Sequence, residues 1–281
     1  NEALMKNLVT GNDSVNAIFS FIDDHIHKKI VVSDVWKYLN EKGYQRINYS
    51  GDNRVANKIE TLQSKFENSI KNNLINNTLI YRKEAKKIMD IFAEKDDNLI
   101  LLNGKAGSGK SSVLFQFVKI LKEKGISYLP LRLDRQLPDY NSSEKFGESL
   151  DLPNSPEITI NNFTGNDTSV LIIDQLDSIR WTSYNYTQAW ECIAEMINRG
   201  LNYSNLFIVV SCRSYDLNND PLISAWKGNN SFKEIKIKSL KRGEIQVELK
   251  KVDVQLDKLS DIQMNLLKNP LNLFLFTEII K

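Results

Sequence analysis

One stretch constrains the fold of this chain more than any other: Leu99-Ile-Leu-Leu-Asn-Gly-Lys-Ala-Gly-Ser-Gly-Lys-Ser-Ser-Val-Leu-Phe115. An apolar run of strand length enters a glycine-rich loop and a helical pattern leaves it, the context in which the spacing G-x-x-x-x-G-K-S binds phosphate. Gly104, Gly107 and Gly109 are expected to take positive φ, which brings backbone N–H groups up against phosphate oxygens. The helix behind the loop aims its positive end at the same anion. Lys110 supplies a full charge to the β- and γ-phosphates, and Ser111 a hydroxyl to Mg²⁺. The loop from Gly104 through Lys105, Ala106, Gly107, Ser108, Gly109, Lys110 and Ser111 to Ser112 is therefore read as a site for a nucleoside triphosphate with Mg²⁺. Taken alone, the pattern also fits a glycine-rich turn that matches by accident, and residues further along decide between the two.

Ser169-Val-Leu-Ile-Ile-Asp174 is the first of these: a buried-strand pattern ending in a carboxylate, as needed to hold the Mg²⁺ water shell opposite the loop serine. In isolation Asp174 would read as a helix or loop cap; paired with the glycine loop it reads as the acid on the metal side. Asp177 either orients a water near the γ-phosphate or caps the next helix, and the sequence leaves both open. The apolar run from Leu206 continues through Ser211 and Cys212 to Arg213. An Arg at the C-terminal end of a central strand stands where open α/β sheets bind ligands, and its cation suits a γ-phosphate, although a lone Arg is more often a surface ion pair. Lys110, Asp174, Asp177 and Arg213 are thus the candidate catalytic residues.

Around these residues, Leu99 to Leu102, Tyr128 to Leu133, Val170 to Ile173 and Leu206 to Val210 alternate with helical patterns. Strand and helix in alternation predict an α/β fold, a parallel sheet sandwiched by helices. Ahead of it, residues 1–78 read as helical: Val15, Ile18, Phe19, Ile22 and Ile26 form one stripe, Ser33 or Asp34 caps a second helix that Gly43 ends, and Val55, Ile59, Leu62, Phe66, Ile70 and Leu74 share the face of a third. That last stripe requires a partner surface. Residues 79–238 are expected to form the nucleotide-binding core, and 239–281 a small helical module whose apolar pattern Pro270 interrupts.

A chain of 281 residues can pack such a core without metals or disulfides, and Cys192 and Cys212 read as reduced core thiols. A net charge of +2 is too small to argue for nucleic-acid binding over the whole surface. No apolar run approaches the ~20 residues that span a bilayer, so a cytoplasmic protein with no membrane partner is expected. The first residue is Asn1 and the last, Lys281, ends an apolar helical pattern, which suggests a piece of a longer protein.

Several segments together resemble the STAND class of P-loop NTPases, the group that includes NACHT and NB-ARC switches, and within it the bacterial antiviral STAND ATPases. The resemblance runs from about Leu79 to Lys281. Leu79-Ile-Tyr-Arg82-Lys-Glu84-Ala resembles an entry motif placed over the adenine and sugar. Leu131-Arg-Leu-Asp-Arg135 and Leu152-Pro-Asn-Ser-Pro156 follow the second strand as in the antiviral group. Leu171-Ile-Ile-Asp174-Gln-Leu-Asp177-Ser resembles the Mg²⁺ strand with a second acid, and Val210-Ser-Cys-Arg213 the sensor strand whose Arg reads the γ-phosphate. Leu267-Lys-Asn-Pro270-Leu resembles the helical module whose Pro packs on the base. The resemblance implies ATP or ADP with Mg²⁺, a winged-helix domain and a sensor region beyond this chain, an effector, and a homo-oligomer on activation. Two positions depart from related patterns. Where AAA+ motors carry a catalytic Glu stands Gln175, which cannot act as a base, so slow hydrolysis is expected. Where NACHT proteins often carry a further acid after Asp177 stands Ser178.

A second reading makes the chain an AAA-like ATPase acting on nucleic acid, against which Gln175 argues. A third takes residues 15–54 as a small helical DNA-binding unit, with basic residues flanking a capped helix; Asp23, Asp24, Asp34 and Glu41 dilute that charge, and a solvated helical face is the plainer account. His25 and His27 fall on different helix faces and cannot form an i, i+4 metal pair.

Overall fold

A computed structural model describes residues 13–27, 32–45, 47–94, 97–255 and 259–280. The chain opens with α1 (Ser14–Asp24) and α2 (Val32–Glu41), packed through Phe21, whose ring lies 4.9 Å from that of Tyr38. This docking corrects the first stripe: Val15, Ile18 and Phe21 are buried, while Phe19, Ile22 and Ile26 are exposed. Gly43, at φ 82°, ends α2 as expected, and Asp34 sits in its first turn. Residues 28–31 of the suggested DNA-binding unit lie outside the described residues.

The third stripe forms α3 (Asn53–Lys71), capped by Asp52, whose side chain accepts the N–H of Arg54 at 2.9 Å. Val55, Ile59, Leu62, Phe66 and Ile70 are buried along it, and Leu74 follows its end. Its partner is the edge of the sheet. Gln63 donates to the Tyr128 carbonyl at 2.8 Å, and Glu67 accepts the Tyr128 hydroxyl at 3.0 Å. Side chains thereby occupy groups that an uncovered edge strand would leave open.

After α4 (Lys83–Glu94), the expected strands appear as β1 (Leu99–Gly104), β2 (Ser127–Arg132), β3 (Ser169–Asp174) and β4 (Leu206–Arg213). All pairings are parallel, in the order β2-β3-β4-β1, with a fifth strand, β5 (Lys233–Lys236), outside β1. Alternate residues of each strand feed two cores: Leu99, Leu101, Leu171, Ile173, Ile208 and Val210 face one side, and Ile100, Leu102, Val170, Ile172, Phe207 and Val209 the other. Between the strands run α5 (Lys110–Glu123), α6 (Ser143–Ser149), α7 (Pro156–Thr164), α8 (Ile179–Thr182), α9 (Tyr186–Gly200), α10 (Ser214–Asn219) and α11 (Pro221–Asn229).

The C-terminal module contains α12 (Arg242–Lys250), α13 (Asp261–Leu267) and α14 (Pro270–Ile280). Pro270 therefore opens a helix instead of interrupting one, since its fixed φ and missing N–H suit the first helical position. Leu240, Ile245, Leu249, Met264, Leu267 and Leu273 form a third core, which Ile75 joins from the segment after α3.

Candidate functional site

Because β1, β4 and β3 are neighbouring parallel strands, the loops leaving them open on the same end of the sheet. There a cavity of about 380 Å³ is lined by residues 107–112, Gln175, Asp177 and Arg213 from the sheet's loops and by Leu240, Pro270, Leu271 and Phe274 from the C-terminal segment; Arg82 and Arg132 also line it. The structure thus places Arg82, the glycine loop, Asp177, Arg213 and Pro270 around one cavity.

Gly107 (φ 70°) and Gly109 (φ 89°) adopt the left-handed conformation. Gly104 does not, and the expectation of positive φ there is corrected. Its glycine is needed for space: a Cβ would lie 2.5 Å from the Ser108 Oγ and 3.0 Å from the Ile237 Cβ. Helix α5 begins at Lys110 with Gly109 as its N-cap and no side-chain cap, so its first N–H groups remain available to an anion. The buried Ser108 hydroxyl has no hydrogen-bond partner. Lys110 Nζ donates to the carbonyls of Gly104 (3.1 Å) and Lys105 (3.3 Å). Burial pulls its pKa down, opposed by the charges of Asp177 and Asp174.

Asp174 is wholly buried, and burial holds its carboxyl above the usual range against two hydroxyl donors. Ser111 Oγ donates to one oxygen at 2.8 Å and Ser211 Oγ to the other. Ser211 also accepts the N–H of Gln175 at 3.0 Å, fixing the turn in which Gln175 takes φ 62°. Sequence reading missed Ser211, although a hydroxyl inside the apolar run of β4 was its visible signal. The donor set fits Mg²⁺, which binds one or two carboxylates together with phosphate and water and needs no all-protein cage; among the described residues no group of three or more acidic, His or Cys side chains is placed to hold a metal ion by itself. The uncapped helix end, the left-handed glycines and the unpartnered Ser108 hydroxyl fit a phosphate chain.

Asp177 neither caps the next helix nor stands free. One of its oxygens accepts the backbone N–H of Arg213 at 2.8 Å, and the other forms an ion pair with Arg213 Nε, also at 2.8 Å. Arg132 closes the adjacent wall, donating to Ser69 Oγ (2.7 Å) and Asp134 (2.8 Å). Arg82 is held by the chain itself: its N–H donates to Gln116 Oε1 at 2.8 Å, and its guanidinium pairs with Glu84 and the Lys238 carbonyl.

The helical module touches the glycine loop directly. Asn269 Nδ2 donates to the Ala106 carbonyl at 2.9 Å, and the Leu271 N–H to the Gly107 carbonyl at 3.2 Å. A Cβ on Gly109 would meet the Pro270 ring at 3.5 Å. Nothing in the sequence singled out Asn269.

The parallel five-stranded sheet, the glycine loop entering α5 and the acid-ended β3 define a P-loop NTPase fold. No protein-family model matches the chain, and no curated protein matches it. Among solved structures it is similar to the Walker-type ATPase of Pyrococcus abyssi (14% identity over 73% of this chain and 68% of that one, TM-score 0.49). It is also similar to the Orc1 protein of Aeropyrum pernix in complex with DNA (13%, 72% and 60%, TM-score 0.46), and to AMPPCP-bound DnaA from Aquifex aeolicus (16%, 74% and 64%, TM-score 0.44). The last two are covered over less than two thirds of their own length. Among the described residues no helix is long and apolar enough to cross a membrane.

Proposed function

We propose that this chain is the nucleotide-binding core of a STAND-type switch that holds ATP or ADP with Mg²⁺ and hydrolyses ATP slowly. The observation that carries the reading is the seam at the cavity: Asn269, Pro270 and Leu271 of the helical module lie on the loop that would hold the phosphates. A nucleotide bound there touches both bodies, so its phosphate number biases how they sit together.

The backbone N–H groups of residues 107–112 and Lys110 hold the phosphates, and Arg213 meets the terminal one. Ser111 and Asp174 hold Mg²⁺, which when bound neutralises phosphate charge. Arg82 and Pro270 flank the base. Gln175 supplies no base, which keeps turnover slow. We place the core at residues 79–238, between the helical region 1–78 and the module 239–281. The setting is a cytoplasmic bacterial antiviral sensor, in which a sensor region and an effector complete the protein and loading drives homo-oligomerisation.

Thermal-shift titration with Mg-ATP, Mg-ADP and Mg-GTP tests this reading. At a hundred times its dissociation constant a ligand stabilises the fold by ~2.7 kcal/mol; ATP and ADP are expected to do so for the wild type and not for Lys110→Ala. Absence of any shift in the wild type would contradict the reading. Hydrolysis stimulated by DNA or RNA would favour an AAA-like ATPase acting on nucleic acid.

A further inference from the structure

Asp177 carries the only carboxylate among the described residues lining the cavity. If any acid there activated a water, it would be this one. Yet both of its oxygens are engaged by a single residue, one by a hydrogen bond from the Arg213 backbone N–H and the other by an ion pair with Arg213 Nε, each at 2.8 Å. The pair is also unequal in exposure: the Asp177 side chain is 1% exposed and that of Arg213 42%. A buried acid therefore grips a cation that reaches into the open.

The grip has a direction. A guanidinium has five N–H donors in one plane, and the ion pair at Nε together with the main-chain bond holds that group beside Asp177. The two Nη groups, with four of the five donors, have no protein partner among the described residues, and Arg213 lines the same cavity as Pro270 and Leu271. Arg213 is also the last residue of β4, with α10 starting directly after it, so the backbone bond to Asp177 fixes the strand end itself.

We propose that Asp177 is a positioning residue that aims the Arg213 guanidinium at the terminal phosphate, and that it is not the base for hydrolysis. The inference rests on the nucleotide reading above. It makes the site a discriminator between triphosphate and diphosphate, with no carboxylate free to activate water. Arg213→Lys cannot replace the pair, because Lys lacks the Nε that Asp177 holds.

The test is calorimetric titration of the full chain with Mg-AMPPCP and Mg-ADP, comparing wild type, Lys110→Ala, Asp177→Asn, Arg213→Gln, Arg213→Lys and the Asp177→Asn/Arg213→Gln double variant. Asp177→Asn, Arg213→Gln and Arg213→Lys are each expected to lower the preference for triphosphate over diphosphate by about 10- to 100-fold. The double variant should lose no more than either single one, since the two residues act as a unit. Melting without nucleotide checks each fold; if Asp177→Asn does not fold, Asp177→Glu, whose longer arm displaces the carboxylate from the main-chain N–H and Nε, is expected to show the same loss. A wild-type preference retained in the folded Asp177 variant, with ATP turnover abolished, would make Asp177 the base and overturn the inference. Equal wild-type affinity for the two nucleotides would overturn it too. Full affinity of Lys110→Ala for both would instead remove the nucleotide reading beneath it.

Discussion

The two walls of the cavity are built differently. On the sheet side, β1, β3 and β4 are buried almost throughout, and Asp174, Ser111, Ser211 and Gln175 are tied to one another by hydrogen bonds. On the module side, α13 and α14 bury Met264, Leu267 and Leu273 but leave Ile262, Leu266, Leu271, Leu275 and Ile279 exposed. The module meets the glycine loop through two hydrogen bonds and the apposition of Pro270 to Gly109. One wall is fixed by strand pairing and a closed core; the other meets the glycine loop at few points and is joined to the segment after α3 through Ile75 and the Asn76–Glu248 hydrogen bonds. That asymmetry is what a nucleotide-set switch requires, because only a weakly held element can change place at the cost of a few kcal/mol.

The contrast can be broken most forcefully from within the sheet. Ile172→Ala removes a fully buried side chain from β3 and is expected to destabilise the fold by about 2–5 kcal/mol in chemical denaturation. Leu275→Ala, at an exposed position on α14, should stay within about 0.5 kcal/mol. Equal effects would erase the difference between the walls.

A second prediction follows from a buried carboxyl under the rigid half. Glu157 in α7 is wholly buried; it accepts from Ser155 Oγ at 2.8 Å and lies 3.9 Å from Arg199, and its second oxygen has no partner. Burial pushes its pKa up to about 8 from 4.5. With the folded value above the unfolded one, its contribution is fully present below about 4.5 and is lost as pH rises through about 8. Relative to Glu157→Gln, the wild type should therefore lose on the order of a few kcal/mol between these limits. Parallel pH–stability curves would show that the carboxyl is charged and compensated in the fold.

The smallest of these effects falls on the seam. Gly107→Ala places a Cβ at φ 70°, only 2.7 Å from Asn269 Oδ1 and the Leu271 Cβ. The left-handed conformation alone costs roughly 1–2 kcal/mol, and the clash should push the module off the loop. Limited proteolysis should then cut between 239 and 281 earlier than in the wild type, leaving the sheet intact. Unchanged cleavage would mean that the seam is not closed in solution.

These comparisons also mark what the sequence could disclose. The glycine loop, the first four strands and Asp174 were legible because each is a local pattern: an apolar run, a turn, a charge at a strand end. Strand β5 was not, since of Lys233, Glu234, Ile235 and Lys236 only Ile235 is buried, and an edge strand of this kind shows no apolar run. Gly104 was recognised for the wrong reason, because the Ser108 and Ile237 atoms that exclude a Cβ become neighbours only in the fold. The face of α1 was misread because its docking on Tyr38 chose Phe21 over Phe19 and Ile22. Asp177 and Arg213 were each seen, but their pairing joins the ends of two strands and has no local signature; the same holds for Asn269 on Ala106.

The central claim is that one nucleotide touches both walls. Hydrogen–deuterium exchange of the full chain, alone and with saturating Mg-ADP or Mg-AMPPCP, tests it most directly. The account predicts slower exchange with nucleotide both at residues 107–114 and at 264–275, with the two nucleotides differing in the second segment. Protection confined to the glycine loop, with 264–275 exchanging as in the free protein, would contradict it.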